Sequence, residues 1–364
     1  MRSRDFRSPA LKRLSSGNIH AIEGLIYSAY ASISHKLIRD NAFHREKLNA
    51  KVISIGNITF GGTGKTPLVN YLSCYFAEKN VKVGVALPGY KGKARDEGML
   101  ISSGDKGKLN LEDIGDEAAA LDGDFFQLGI PAFVDRNRID AARELIKLFN
   151  CQLIIMDDAF HFTSVAKDAD ICLVSALNPF GGGPLFKRGA LREPPKAIKR
   201  ADAIIVTHRA LAGDKKYIEL EKIIRDLGFN KEIFSSDYLP VRIEHKTGAF
   251  INIKDTPKLK VIPVSGIGNP EAFEMSLRAI GVSFGEPIRF NDHHLFTSRD
   301  VDIIKFALKE DNAEGIIMTP KDWVRFEKPA ETFNYPVYIL HSEICLDEEF
   351  LDWITNKLDF PAPM

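Results

Sequence analysis

Four glycines crowd a lysine and a threonine in Gly56-Asn57-Ile58-Thr59-Phe60-Gly61-Gly62-Thr63-Gly64-Lys65-Thr66. Glycine lets a backbone curl until successive N–H groups converge, and a helix beginning there adds its positive end. The chemistry such a segment suits is the holding of phosphate. Val52-Ile53-Ser54-Ile55 before it reads as a strand, and the stretch from Pro67 to Lys79 reads as a helix. That is the setting a phosphate loop needs. Thr59, Phe60, Gly61, Gly62, Thr63, Gly64, Lys65 and Thr66 form the expected nucleotide-binding surface. Lys65 would reach the β- and γ-phosphates, and the Thr66 hydroxyl would ligate Mg²⁺. Thr59 stands where the general pattern has glycine.

A second cluster is Leu153-Ile154-Ile155-Met156-Asp157-Asp158, an apolar strand ending in two carboxylates. In phosphate-loop enzymes an aspartate at that place completes the Mg²⁺ shell. Asp-Asp after a strand also starts ordinary loops, so this cluster gains its meaning from the glycine loop.

These groups need a scaffold. From residue 51 onward, apolar runs of strand length alternate with helical patterns. Unbroken apolar runs belong to strands covered on both faces, as in a parallel sheet wrapped by helices. Short alternating segments, Val241-Arg242-Ile243-Glu244 and Ala249-Phe250-Ile251-Asn252, read as an antiparallel ribbon, after which a second βα series starts at Val261. The expected organisation is α/β: an N-terminal segment 1–47, a phosphate-loop NTPase-like core 48–237, a ribbon linker 238–256 and a smaller α/β domain 257–364. Ligands of such sheets sit beyond the carboxyl ends of the strands.

Composition removes several classes. The chain has 364 residues with 49 basic and 49 acidic side chains, a balance that argues against nucleic acid as a partner. Four widely spaced cysteines, without a C-x-x-C pair, suggest neither a disulfide framework nor a zinc site. No apolar run reaches the roughly 18 residues of a membrane span. Residues 1–47, however, hold nine basic and four acidic side chains. Between the basic clusters Ile19, Ile22, Ile26, Ala29, Tyr30, Ile33 and Leu37 share a helical face. Such a helix either packs on the domain or lies among anionic lipid headgroups.

Taken in order, the motifs resemble those of the tetraacyldisaccharide 4′-kinases of lipid A synthesis over most of the chain. That family's loop reads Gly-Asn-Ile-Thr-x-Gly-Gly-Thr-Gly-Lys-Thr-Pro, matched by residues 56–67, which accounts for Thr59. Further matches are Gly115-Asp116-Glu117, Leu191-Arg192-Glu193-Pro194 and Arg200-Ala201-Asp202. Later come Gly266-Ile267-Gly268-Asn269-Pro270, Asp292-His293-His294 and Thr319-Pro320-Lys321-Asp322. The chain also departs from the family. Pro88 replaces the arginine of Arg-Gly-Tyr, Phe162 occupies the family's histidine position with His161 one place earlier, and Lys187-Arg188 stand where a proline is usual.

The resemblance implies transfer of the ATP γ-phosphoryl group to the 4′-hydroxyl of a tetraacyldisaccharide 1-phosphate. It also implies a peripheral location on the cytoplasmic face of the inner membrane. By family position Asp116 is the candidate base, supported by His293 or His294, and Lys65 neutralises charge. Asp157, Asp158, Glu193 and Thr66 surround Mg²⁺, while Arg138, Tyr90 and Arg192 face phosphates or the acylated disaccharide acceptor. The residues alone leave blander roles open: Asp116 as a helix N-cap, Arg192-Glu193 as a surface ion pair, Arg138 as a solvated helix residue and Tyr90 as a core tyrosine. Two other functions remain in play, a nucleotide-driven switch or assembly ATPase and a degraded relative that binds without turnover.

Overall fold

The computed structural model describes residues 4, 6, 45–59, 62–89, 94–101, 121, 123–181 and 191–360. Contacts divide the chain into two units.

The first unit begins with β1 (Lys51–Asn57), α1 (Lys65–Glu78), β2 (Val83–Leu87), α2 (Ala94–Glu97), β3 (Met99–Ile101) and α3 (Gly123–Gln127). Next come β4 (Ala132–Val134), α4 (Arg138–Phe149), β5 (Leu153–Asp157), β6 (Ala169–Ser175) and β7 (Ala203–Thr207). They are followed by α5 (Arg209–Ala212), α6 (Asp214–Asp226) and the long strand β8 (Glu232–His245), within which the unit boundary falls at Tyr238. Its strands lie in the order β3-β4-β2-β5-β1-β6-β7-β8. All neighbours pair in parallel except β3 with β4.

The sheet is apolar on both sides for a reason visible in β1 and β5. Ile53, Ile55, Leu153 and Ile155 point to one face, where Leu68, Leu72 and Phe76 of α1 cover them. Val52, Ile154 and Met156 point to the other, against Ala141, Ala142 and Leu145 of α4. Successive strand residues alternate faces, so a strand covered on both must be apolar throughout. Each large side chain so buried contributes about 1.5–3 kcal/mol relative to exposure.

The second unit continues from β8 into β9 (Phe250–Ile251), which pairs with it antiparallel through Ile243 and Ile251, the expected ribbon. It adds β10 (Val261–Ser265), α7 (Pro270–Ala279), β11 (Ile288–Arg289), α8 (Ser298–Glu310), β12 (Gly315–Met318), α9 (Pro320–Ala330) and β13 (Val337–Leu346). Here the order is β11-β10-β12-β13, with parallel pairing throughout. Arg4 and Phe6 belong to this unit: Arg4 forms an ion pair with Asp311, and the Phe6 N–H donates to the Arg289 carbonyl at 2.7 Å.

The expected C-terminal domain does not keep its end. Residues from Ile344 onward group with the first unit, because Phe350, Ile354 and Leu358 of the last helix, α10 (Glu348–Leu358), bury themselves in the core that holds Ile53 and Leu68.

Candidate functional site

The centre of the first unit's sheet is β1, flanked by β5 and β6, and the glycine loop leaves its carboxyl end. The buried Asn57 side chain gathers this loop: its Nδ2 donates to the Thr63 hydroxyl at 2.9 Å and to the Thr59 hydroxyl at 3.5 Å. Thr59, at the position where most such loops have glycine, bridges Leu191 in antiparallel fashion. Gly64 then takes φ +84°, a left-handed conformation cheap only for glycine, and starts α1 as its N-cap. Helix α1 begins at Lys65, two residues before the start expected from Pro67. Phe60 and Gly61 lie outside the described residues.

The acid pair sits against the same loop. The Ala159 N–H donates to the Ile55 carbonyl at 3.1 Å. A Cβ on Gly56 would lie 2.5 Å from Phe160 Cβ and 2.6 Å from its nitrogen, so glycine permits this approach. Asp157 ends β5 and is 1% exposed. Its Oδ2 accepts from the Thr66 hydroxyl at 3.2 Å, and its Oδ1 from the Asp158 N–H at 2.7 Å. Asp158 adopts φ +50°. Its Oδ1 lies 3.6 Å from Lys65 Nζ, and its other oxygen is paired with Arg192. Arg192 is held in place by its own N–H, which donates to the Ile58 carbonyl at 2.7 Å.

The pKa values of the two carboxyls are displaced in opposite directions. Burial pushes Asp157 up, opposed by Lys65 and Arg138. Asp158 is also desolvated, but Lys65 and Arg192 together hold it well below the usual carboxylate range. Asp158 Oδ1 is buried without a hydrogen-bond donor. The Thr66 hydroxyl and the two carboxylates, Asp158 through that oxygen, are hard oxygen donors that suit a small divalent cation completed by phosphate and water. Among the described residues no cluster of three or more His, Cys, Asp or Glu side chains is arranged to hold a metal by itself.

The remaining expected residues are scattered. Arg138 is buried, with Nε donating to the Asp157 carbonyl at 3.3 Å and Nη1 to the carbonyls of Asp135 at 2.7 Å and Arg136 at 3.2 Å. Its guanidinium lies 5.3 Å from the centre of the Phe162 ring. Glu193 is buried and gripped through both oxygens by Arg200, a partner its motif did not suggest. His161 is an exposed residue whose ring lies 4.6 Å from that of Phe162, within the electrostatic reach of Asp158, Arg192, Glu193 and Arg138. Desolvation lowers its pKa, and Asp158 opposes that. Asp116, Tyr90, Lys187, Arg188 and nearly all of the N-terminal segment lie outside the described residues.

In the second unit the two adjacent histidines differ. His294 Nε2 lies 3.0 Å from Asp300, whose carboxylate accepts from the backbone of Thr297, the N-cap of α8, and its ring stacks on Phe290 at 4.5 Å. His293 has φ +59°, with its N–H donating to the Gly266 carbonyl and to Asp292 Oδ1, both at 3.0 Å. A non-glycine residue held in this region is strained, and such strain gathers at functional sites. Gly266 is fixed in turn by the fully buried Asp322, which accepts its N–H at 2.9 Å, and by Arg325, which donates to its carbonyl at 3.0 Å.

A parallel sheet whose central strand runs through a glycine turn into a helix, beside a buried acid pair, defines an α/β protein with a phosphate-loop NTPase-like core. A family model for tetraacyldisaccharide-1-P 4′-kinase matches residues 20–359. The chain belongs to that family. A tetraacyldisaccharide 4′-kinase of Halothermothrix orenii is 33% identical, with 88% of this chain and 87% of the relative covered. One of Desulfatibacillum aliphaticivorans is 31% identical over 94% and 93%. A crystal structure of LpxK from Aquifex aeolicus, an "apo" form in complex with ATP, shares the fold with a TM-score of 0.66 and 22% identity. It covers 97% of this chain and all of that one. No helix among the described residues is long and apolar enough to cross a membrane.

Proposed function

We propose that this protein transfers the γ-phosphoryl group of ATP to the 4′-hydroxyl of a tetraacyldisaccharide 1-phosphate, as a kinase of lipid A biosynthesis. The observation that carries the reading is the meeting of Lys65 and Thr66, from the start of one helix, with Asp158 and Asp157 at the end of the neighbouring strand. In this reading Lys65 leaves Asp158 for the β- and γ-phosphates, and the loop amides hold the transferring group in line. Thr66, Asp157 and Asp158 would hold Mg²⁺, which supplies neutralisation of the charge that develops on the phosphoryl oxygens. Asp158, ionised well below neutral pH, keeps Lys65 and Arg192 turned toward the site before nucleotide arrives.

Asp116 is the proposed acceptor of the hydroxyl proton, with His293 as its helper. The N-terminal segment 1–47 is proposed to hold the enzyme on an anionic surface, the cytoplasmic face of the inner membrane. The test is label transfer from terminally labelled ATP to purified acceptor, resolved by thin-layer chromatography. Labelled lipid is expected, and Asp116→Asn should lower its formation at least about a hundredfold, the scale of one catalytic proton transfer. Free labelled phosphate alone would instead mean a nucleotide switch, and bound nucleotide without turnover a degraded relative.

A further inference from the structure

Two cations converge on the carbonyls that directly follow the acid pair. Lys167 Nζ donates to the Ala159 carbonyl at 2.8 Å and to that of Phe160 at 3.3 Å, while pairing with the buried Asp170 at 3.1 Å. Arg200 Nη2 donates to the Phe160 carbonyl at 2.8 Å, and its guanidinium lies 3.7 Å from the centre of the Phe160 ring. The same guanidinium grips both oxygens of Glu193, with Nη2 2.6 Å from Oε1.

These contacts close a ring. Glu193 follows Arg192, which holds Asp158, and the N–H groups of both residues donate to the Ile58 carbonyl at 3.3 and 2.7 Å. Phe160 leads back through Ala159 to Asp158. Arg200 therefore ties together both chain segments that meet at Asp158. It is itself anchored through Asp202, whose carboxylate accepts the Asp170 N–H at 3.0 Å and whose N–H donates to the Asp170 carbonyl at 2.7 Å. A turn with Asp158 at φ +50° needs such restraint, because left-handed backbone at a non-glycine residue persists only where its surroundings enforce it.

We propose that Arg200, assisted by Lys167, is a positioning residue for the Asp157–Asp158 pair, and that Glu193 serves the nucleotide site by holding Arg200 rather than by touching the metal. This rests on the reading of the acid pair as the metal–nucleotide site and deepens it. Arg200 does its work through geometry: a fork that grips a carboxylate and a carbonyl at once, which a lysine ammonium reproduces only in part.

The experiment measures binding of a fluorescent ATP analogue as Mg²⁺ is raised, together with amide hydrogen exchange across residues 158–160. The full chain is compared with Arg200→Met, Arg200→Lys, Glu193→Gln and the double variant Arg200→Met/Glu193→Gln. Arg200→Met and Glu193→Gln should each raise the half-saturating Mg²⁺ about tenfold, the double variant should do no more than either, and Arg200→Lys should fall between. Exchange at 158–160 should quicken while β1 and β6 stay protected. The proposal is overturned if Glu193→Gln raises the Mg²⁺ requirement while Arg200→Met does not, since Glu193 is then a direct ligand. Multiplied effects in the double variant overturn it too. Should Arg200→Met not fold, Lys167→Met replaces it, and unchanged exchange at 158–160 there refutes the clamp. Nucleotide binding that ignores Mg²⁺ in the unsubstituted protein would sink the reading of the acid pair, while the exchange measurement still decides the clamp.

Discussion

The Thr66 hydroxyl donates to Asp157 Oδ2 across 3.2 Å, joining the first turn of a helix to the last residue of the adjacent strand. Burial raises the pKa of this carboxyl, so its charge costs folding energy. For a carboxyl whose folded pKa is raised, stability is full below the unfolded value near 4 and is lost as pH rises through the folded one. Asp157→Asn should therefore raise the melting temperature of the nucleotide-free protein at neutral pH and flatten its pH dependence above about 4. The same change should cut phosphoryl transfer by roughly a hundredfold or more, the worth of several kcal/mol of lost metal positioning. Calorimetry and kinetics on one preparation check both signs.

Gly56→Ala tests how closely loop and acid pair must approach. The new methyl would stand 2.6 Å from the Phe160 nitrogen, which cannot yield without moving the turn. A loss of about 1–3 kcal/mol in denaturant titration is expected, as for other overpacked cores, with activity falling further than stability explains.

The two histidines of Asp292-His293-His294 should separate by phenotype. His294→Ala removes the link to Asp300 and the stack on Phe290, so it should lower the melting temperature. His293→Gly relieves left-handed strain at φ +59° and should leave stability equal or better by about 1 kcal/mol. In the same variant kcat should drop. A loss of stability in His293→Gly without a kinetic effect would remove His293 from the mechanism.

His208 offers a pH signature away from the acid pair. It sits at φ +62°, buried between the hydroxyls of Ser175 and Thr207, and burial pushes its pKa down to about 4. Its folded pKa lies below the unfolded value near 6.5, so its contribution is complete above that value and is lost as pH falls toward 4. The loss amounts to about 3 kcal/mol at most. Asparagine tolerates the left-handed backbone, so His208→Asn should reduce the slope of stability against pH between about 6.5 and 4.

Much of this was legible in the sequence because it depends on residue types close together. The glycine loop, the strand before it and the Asp157–Asp158 strand end all declare themselves through local pattern and period. What escaped was decided by distant partners. Nothing near Glu193 announces Arg200 as its grip, although Arg200 stands in a recognisable Arg-Ala-Asp motif, and Lys167 carries no local signal at all. The contrast between His293 and His294 rests on one backbone angle and on Phe290, neither readable from adjacent histidines. Helix α10 reads as the end of the second domain, yet its apolar stripe fits the core around Ile53.

Deleting residues 1–40 should weaken binding to anionic vesicles, since each lysine or arginine near such a surface contributes about 1 kcal/mol. Co-sedimentation with phosphatidylglycerol vesicles measures it, and undiminished binding would remove the segment's proposed role.

The central claim concerns where the phosphoryl group lands. Phosphorus NMR of the lipid recovered after incubation with Mg²⁺ and ATP decides it. The account predicts a new phosphomonoester coupled to the proton at the 4′ carbon of the disaccharide, absent when Lys65 is replaced by methionine. A spectrum with inorganic phosphate alone, or with the ester at another hydroxyl, would contradict it.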